Sequence, residues 1–473
     1  MTTFAIALVV LVLGYIIYGR YISRLFGVDE NRKTPAYEKG DGVDYMPMPT
    51  WKAYTIQFLN IAGLGPIFGA IMGAKFGTAS YLWIVFGTIF AGSVHDYLSG
   101  MLSLRHDGES LPQLIGRFLG VPIQRIFMVF SLLLLILVGA VFISQPADIL
   151  VRLTGESISL NAWIAIIFVY YLLATLFPID KIIGKLYPVF GAALLFMAIG
   201  IMIALFVNRP DLPEMWNGFG TKYETHPIFP MMFISIACGA ISGFHATQSP
   251  LMARCLKNEK HGRPVFYGAM ISEGIVALVW AAAATAYFGE NGADHTAAQI
   301  VLDISKTWLG RLGGVLAVLG VVAAPISSGD TALRSARLIV ADFFNKKQKT
   351  IGSRLAISIP LFVITFIALF VSLRDKEGFN IIWRYFAWSN QTLAVFTLWA
   401  ITVYLGREKK PFIVTYIPAL FMTMVTVSYI LSAPEGFSMT PWIAYIIAGA
   451  VTLTFGIYYL VWKHRYNSFK TVE

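Results

Sequence analysis

Thirteen stretches of this chain are predominantly apolar over the length that a helix needs to cross a bilayer, about 20 residues. They fall at 3–22, 53–75, 80–104, 123–145, 161–178, 184–207, 228–250, 265–288, 311–342, 354–372, 381–404, 411–431 and 440–462. So many apolar runs would overfill the core of a soluble domain, and the sequence predicts an all-α polytopic membrane protein. Composition agrees: only 13% of the 473 residues are charged, about half the share in soluble domains. The 35 Phe, 22 Tyr and 11 Trp suit a lipid-facing surface with aromatic belts, so membrane lipid is an expected partner. Nucleic acid is not, because the net charge of +10 is spread over short loops and forms no single basic patch. The first stretch has no positive n-region and no small-residue cleavage site, and reads as a retained span. Cys238 and Cys255 are the two cysteines; they lack metal-ligand spacing and cannot build a disulfide framework, so no redox or metal cofactor is expected.

Lys and Arg occupy loops of one parity. Arg105, Arg117 and Arg125 follow the third stretch, and Arg254, Lys257, Lys260 and Arg263 the seventh. Lys346, Lys347, Lys349 and Arg354 follow the ninth, Arg407, Lys409 and Lys410 the eleventh, and Lys463, Arg465 and Lys470 sit in the tail. The alternate loops are near neutral or acidic, with Asp211, Glu214 and Glu224. Cytoplasmic loops carry the positive excess, which predicts an outside N-terminus and a cytoplasmic C-terminus in a bacterial inner membrane. The polar, amphipathic stretch 289–310 is predicted to lie at the interface.

The second and seventh stretches depart from ordinary membrane helices. WKAYTIQFLNIAGLGPIFGAIMGAKFG holds Gly63, Gly65, Pro66, Gly69 and Gly73, and PMMFISIACGAISGFHATQSP holds Gly239, Gly243, His245 and Pro250. Gly and Pro cost helix stability, so clustering them in mid-membrane predicts unwound backbone; for one such helix alone, small-residue packing or a Pro kink is the alternative. These two lie five stretches apart and run in opposite directions. Broken helices at matching positions of two inverted halves point to a substrate site at the bilayer midplane. The expected fold is a LeuT-like 5+5 inverted-repeat core in one transmembrane domain, with one extra N-terminal and two extra C-terminal helices. Residues 1–52 form the first span and a cytoplasmic loop, 53–207 and 208–404 the two repeats, and 405–473 the C-terminal pair and tail.

Long motifs add a resemblance. NIAGLGPIFGAIMGAKFG (60–77), FAGSVHDYLSGMLSLRHDGESLPQLIG (90–116), ISGFHATQSPLMARCLKNEKHGRPVFYGAM (241–270), APISSGDTALRSARLIVADF (324–343) and WRYFAWSNQTLA (383–394) resemble the carbon starvation protein A family of bacterial peptide transporters, in its shorter form. The resemblance covers most of the chain. It implies a LeuT-like core and uptake of peptides under nutrient limitation; similar proteins are linked to pyruvate uptake with a coupling cation.

The backbone at Ala62, Gly63, Leu64 and Gly65 is the first candidate for a substrate site. Unwinding there frees amide N–H groups at the positive end of the outer half-helix, a seat for a carboxylate, and carbonyls that suit sodium. His95 and Asp96, deep in the third stretch, are expected to mark a relay for protons or charge. The structural alternative is a hydrogen-bonded pair locking helices, and adjacent helical positions point about 100° apart. In the ninth stretch Ser327, Ser328 and Asp330 offer hard oxygens for a sodium site with the Ala62 and Gly63 backbone. Alternatively SSGD interrupts that helix and Asp330 pairs with Arg334. After the second break come Gly243, His245 and Gln248, where His245 is suited either to substrate or proton binding or to a structural hydrogen bond. Trp388, Asn390 and Gln391 form a polar patch suited to substrate contact or to interhelical hydrogen bonding.

The leading expectation is a cation-coupled secondary transporter of a small molecule, with Na+ or H+ as the coupling ion. A channel would show a repeated pore filter. A membrane enzyme would need a motif such as H-E-x-x-H or G-x-S-x-G, which the chain lacks. A nutrient sensor without transport would call for a soluble output domain. Oligomeric state is not legible.

Overall fold

Helix-forming apolar runs become helices, and each of the thirteen stretches lies in helix over most of its described length. The computed structural model describes the chain except residues 41–44, 177–182, 223–226, 293–294, 345, 347–349, 375–377 and 471–473, and does not describe the side chains of 176, 183–188, 327, 342, 372, 374, 378–380 and 469–470. Glu224, Lys347 and Lys349, and the side chains of Lys470 and Ser327, are therefore outside the described residues. The helices are α1 (Thr2–Phe26), α2 (Thr50–Ile61), α3 (Gly65–Ala74), α4 (79–105), α5 (Leu111–Leu119), α6 (Val121–Leu153), α7 (Leu160–Leu176) and α8 (Ile183–Asn208). They continue with α9 (Ile228–Ser235), α10 (Gly243–Ala253), α11 (Glu259–Asn291), α12 (297–309), α13 (311–343), α14 (Ile351–Arg374), α15 (Gly378–Arg407), α16 (Ile413–Ser432) and α17 (Pro441–Lys470). Among the described residues, eight helices are long and apolar enough to cross a membrane, nine if α2 and α3 form one bent span. The remaining candidate stretches are shorter, broken or richer in polar residues, so length and apolarity alone do not carry the number thirteen.

Both Gly-rich stretches are broken. α2 and α3 meet at 53°, with Ala62 at φ −82 and ψ 51 and the Gly63 N–H turned back to the Ile61 carbonyl at 2.9 Å. Pro66 stands in the first turn of α3, where a missing N–H costs nothing. Residues 236–242 part α9 from α10. A third interruption, at Gly310 (φ 58, ψ −142), separates α12 from α13; glycine adopts that backbone without steric cost. α12 opens on a capping box, Thr296 accepting from the Gln299 N–H at 3.3 Å and Gln299 from the Thr296 N–H at 2.9 Å. It buries Ile300, Val301 and Ile304 and exposes Asp303 and Lys306, so the amphipathic stretch is a helix of its own.

Proline also explains a side-chain contact inside α6. Pro146 has no N–H for the Phe142 carbonyl one turn earlier, and the Tyr171 hydroxyl of α7 donates to that carbonyl at 3.0 Å. Inside a membrane a freed carbonyl must find such a donor.

The two ends of the molecule differ in charge. At one end the fully buried Glu259 carboxylate accepts from Arg105 through Nε (3.0 Å) and Nη2 (2.9 Å) and from the Asp29 N–H (2.8 Å). Arg254 donates to the Gly108 carbonyl at 2.9 Å, and Lys260 pairs with Glu30 at 2.9 Å. The basic loops that follow the third and seventh stretches thus meet at one face and knit to the loop after α1. At the opposite end, Glu214 accepts from the Thr2 and Thr3 N–H groups, each at 2.7 Å, and the Thr78 N–H reaches the Phe219 carbonyl at 2.8 Å. Outward faces of α1, α6, α8, α14 and α17 expose large apolar side chains such as Val9, Val129, Phe196, Phe366 and Tyr458. That band is the surface of a multi-pass membrane protein.

Candidate functional site

The two breaks touch. A Cβ added to Gly65 would lie 2.3 Å from Cys238 Cβ, and one added to Gly239 would lie 3.9 Å from the Pro66 Cα. Lacking side chains, these glycines let the interrupted spans approach closely in the fully buried interior. The backbone groups that the second break frees are taken up by other helices. From α4, Trp83 Nε1 donates to the Ile236 carbonyl at 3.3 Å and Thr88 Oγ1 to the Gly239 carbonyl at 3.1 Å. From α15, Asn390 Oδ1 accepts from the Phe244 N–H at 2.7 Å and from Ser242 Oγ at 3.0 Å, while Gln391 Nε2 donates to the Phe233 carbonyl. Asn390 Nδ2 also reaches Cys238 Sγ at 3.1 Å. At the first break, Ser328 Oγ of α13 donates to the Leu59 carbonyl at 3.3 Å, which would otherwise accept from the Gly63 N–H.

Beside the second break lies a chain of ionisable groups. Asp96 sits between two imidazoles, its Oδ1 2.7 Å from His95 Nδ1 and its Oδ2 2.9 Å from His245 Nδ1. The other nitrogen of His245, Nε2, lies 3.3 Å from Glu273 Oε2 of α11. All four side chains are fully buried. Adjacent positions on α4 diverge, yet one carboxylate has two oxygens, so Asp96 joins His95 on its own helix to His245 on α10. The Cys238 thiol also lies beside His245.

The other candidates scatter. Ser328 clasps Leu59 and its own Ala324 carbonyl (3.2 Å). α13 runs unbroken through the SSGD sequence, and Asp330 faces Arg334 at 3.7 Å; Arg334 also donates to the Ala174 carbonyl at 2.6 Å. Gln248 is buried and donates to Thr247 Oγ1 at 3.0 Å. Gly243 packs against the Asn390 carbonyl and Leu393. Trp388 packs against the apolar cluster that holds Ile234 and Ala237 at the edge of the second break, and donates to the Thr426 carbonyl of α16 at 3.0 Å. Asn390 and Gln391 are next to the second break through the hydrogen bonds already described. Among the described residues no group of three or more His, Cys, Asp or Glu is arranged to hold a metal ion.

Glu273 is not among the residues that the sequence singles out above, although a signal for it exists. It is an acidic residue within the apolar run AMISEGIVALVW, and a carboxylate in a span is a functional candidate by default. Gln57 and Asn60 of α2 are two more; both are buried, with Gln57 Nε2, Gln57 Oε1 and Asn60 Oδ1 lacking hydrogen-bond partners. Polar amides one turn before a Gly-rich break are legible as a pattern, but which way they point is not.

A family model described as carbon starvation protein CstA matches residues 1–160, 151–306 and 294–429. An uncharacterized membrane protein of Haemophilus influenzae is 44% identical over 339 residues, covering 61% of this chain and 91% of that protein. The peptide transporter CstA of Campylobacter jejuni is 25% identical over a 553-residue alignment, covering 89% of this chain and 78% of that protein. The pyruvate/proton symporter BtsT of Escherichia coli is 27% identical over 345 residues, covering 58% of this chain and 48% of that protein. Among solved structures, a Na+-coupled sialic acid symporter aligns with a TM-score of 0.56 at 14% identity, covering 96% of each chain. The Eremococcus coleocola manganese transporter aligns with a TM-score of 0.55 at 12% identity, covering 90% of this chain and 99% of that one. At such identities the likeness speaks to fold alone, and the fold is LeuT-like.

Proposed function

The chain belongs to the carbon starvation protein CstA family, and on that premise we propose that it is a cation-coupled importer of a small peptide or a small carboxylate such as pyruvate. It is a secondary transporter, not an enzyme, as its named relatives are transporters. The observation that carries the finer reading is the contact between two broken helices, Gly65 against Cys238 and Gly239 against Pro66. Two interrupted spans meeting in a buried interior are the arrangement from which alternating access around a central site is built. Peptides and pyruvate share a carboxylate. Its seat in this reading is the backbone of Ala62, Gly63, Leu64 and Gly65 at the start of α3, where the helix dipole favours an anion and where the Ala62 and Gly63 N–H groups would have to turn from the Phe58 and Ile61 carbonyls to reach it. Gly243, His245 and Gln248, with Asn390 and Gln391 behind them, line the opposing break, and Trp388 packs beside Ala237 at its edge.

The coupling ion in this reading is H+ or Na+. A sodium site would draw on the Ala62 and Gly63 backbone with Ser327, Ser328 and Asp330, a relay of charge on His95 and Asp96. The two repeats, 53–207 and 208–404, each open with a broken span, and 405–473 adds the final pair. The membrane is the bacterial inner membrane, with the N-terminus outside and the knitted basic loops in the cytoplasm.

Uptake by the purified chain in liposomes tests this, with labelled pyruvate and a labelled dipeptide offered under separate sodium and proton gradients. Uphill accumulation of either compound under one gradient is the expected result. Absence of uptake of both under both gradients would count against the substrate class and leave the fold untouched.

A further inference from the structure

Resting on that transporter reading, we infer that Glu273, acting with His245 and Asp96, is the site that binds and releases a coupling proton. Four titratable side chains on three helices lie in line: hydrogen bonds join His95, Asp96 and His245, and Glu273 follows with Oε2 3.3 Å from His245 Nε2. His95 Nε2 at one end, and His245 Nε2 and both Glu273 oxygens at the other, are buried without a hydrogen-bond partner. A chain of this kind has somewhere to take a proton and somewhere to pass it.

Counting charge gives the reason that the cargo is a proton. No Lys or Arg pairs with Asp96 or Glu273 among the described residues. The local counter-charge is therefore His245 itself. With Asp96 and Glu273 ionised and His245 doubly protonated, the cluster carries one net negative charge in a site closed to water. Moving the Nε2 proton from His245 to Glu273 leaves that total unchanged. One further proton, held as the Glu273 carboxylic acid beside a charged His245, brings the cluster to neutrality, and an uncompensated buried charge is costly. A metal cation does not fit as well, because both oxygens of Asp96 are occupied by imidazole nitrogens, and an N–H repels a cation. In transport the proton enters from the outer solution, resides on Glu273, and leaves to the cytoplasm; no covalent bond of the substrate changes.

The neighbours connect this site to the breaks. Ala277, one turn along α11 from Glu273, touches Gly239, and Gly274 packs against Thr88, which holds the Gly239 carbonyl. Cys238, beside His245, is the residue that Gly65 abuts. A change in proton number at Glu273 is thus two contacts from the second break and three from the first. The Cys238 thiol of the second break lies beside His245; on α2, which packs against α10 and α11, the Tyr54 hydroxyl meets Ser272, next to Glu273 in the chain, at 2.6 Å, and Gln57 and Asn60 are buried and uncharged. From α8, the apolar Leu195, Ala198 and Met202 line a cavity with Ser272, Ile275 and Val276, the neighbouring face of α11. Tyr267, near the start of α11, meets Tyr15 of α1.

The test uses the full chain in liposomes with labelled pyruvate and dialanine as probes. Counterflow is measured without any gradient, and accumulation under an imposed pH gradient or sodium gradient. The wild type is expected to exchange one probe and to accumulate it under the pH gradient. E273Q, close to isosteric, still exchanges the probe, because exchange needs no net proton movement, but loses pH-driven accumulation to the level of empty liposomes. Undiminished pH-driven accumulation by E273Q, or wild-type accumulation driven by sodium alone, overturns the inference while the transporter reading stands. No counterflow of either probe by the wild type removes that reading, and the inference with it. Should E273Q not purify as folded protein, E273D keeps a titratable carboxyl at a different reach from His245. A displaced pH midpoint of uptake in E273D supports the assignment, and an unmoved midpoint overturns it.

Discussion

At the break between α2 and α3, one side chain from another helix, Ser328, reaches a freed carbonyl among the described residues. At the break between α9 and α10, four do so or accept a freed N–H: Trp83, Thr88, Asn390 and Gln391. The first interruption is short and held by close glycine packing, with its backbone left as the prominent polar feature. The second is longer and clamped by side chains, and the titratable cluster stands against it. Backbone amides are fixed in number and direction, whereas His, Asp and Glu change charge. The difference suggests a division of labour in the proposed cycle, with the first break serving the substrate carboxylate and the second serving the cation.

The largest expected effect comes from closing the gap between the breaks. Gly65→Val drives methyl groups into Cys238, whose Cβ lies 2.3 Å from where even a single added carbon would sit. Overpacking costs about 1–3 kcal/mol, and here it also forces the two interruptions apart, so uptake should vanish and the unfolding temperature in detergent fall. Adding Cys238→Gly should return part of both. A fully active G65V protein would break the claim that the interruptions touch.

Next is the clamp. Asn390→Ala strands the Phe244 N–H and Ser242 Oγ. Leaving a buried donor unsatisfied costs about 1–3 kcal/mol, so Tm should drop measurably. An unchanged Tm would say that Asn390 is not a clamp on the second break. Smaller still is Thr88→Val, which removes one donor to the Gly239 carbonyl at nearly constant volume, for about 0.5–1.5 kcal/mol. Amide hydrogen exchange should then quicken at 236–242 and stay unchanged at 62–64; equal quickening at both would erase the contrast between the breaks.

The smallest effect is expected from Ser328→Ala, which frees the Leu59 carbonyl for about 0.5–1.5 kcal/mol of stability. It also sharpens the comparison. If the first break binds sodium, the half-maximal sodium concentration for uptake should rise in this variant. If the cation is a proton at Glu273, sodium dependence should be absent in both variant and wild type.

The broken helices are legible from residues because their cause is local: Gly63, Gly65 and Pro66 within one stretch, and Gly239 and Gly243 in the other, weaken helix wherever the chain goes. His95, Asp96 and His245 are legible one at a time, as ionisable groups in apolar surroundings. Their joining is not. The angular offset between neighbours on α4 makes a shared role for His95 and Asp96 look unforced, and nothing in the order of residues says that Asp96 has one oxygen for each histidine. Ser328 is legible as a hydroxyl suited to the first break, and its bond to Leu59 puts it there; that bond is to a protein carbonyl and leaves the sodium role a proposal.

Apolarity per stretch, the parity of Lys and Arg, and the positions of Gly and Pro follow from single residues and their near neighbours, so the chain's order alone determined the membrane class, the helical architecture and where two spans come apart. Partnerships across spans depend on helix rotation and interaxial distance, which many weak packing contacts set together. Only the tertiary structure could decide that Glu273, alone in an apolar run, faces His245, and that Gly65 meets Cys238 and not lipid.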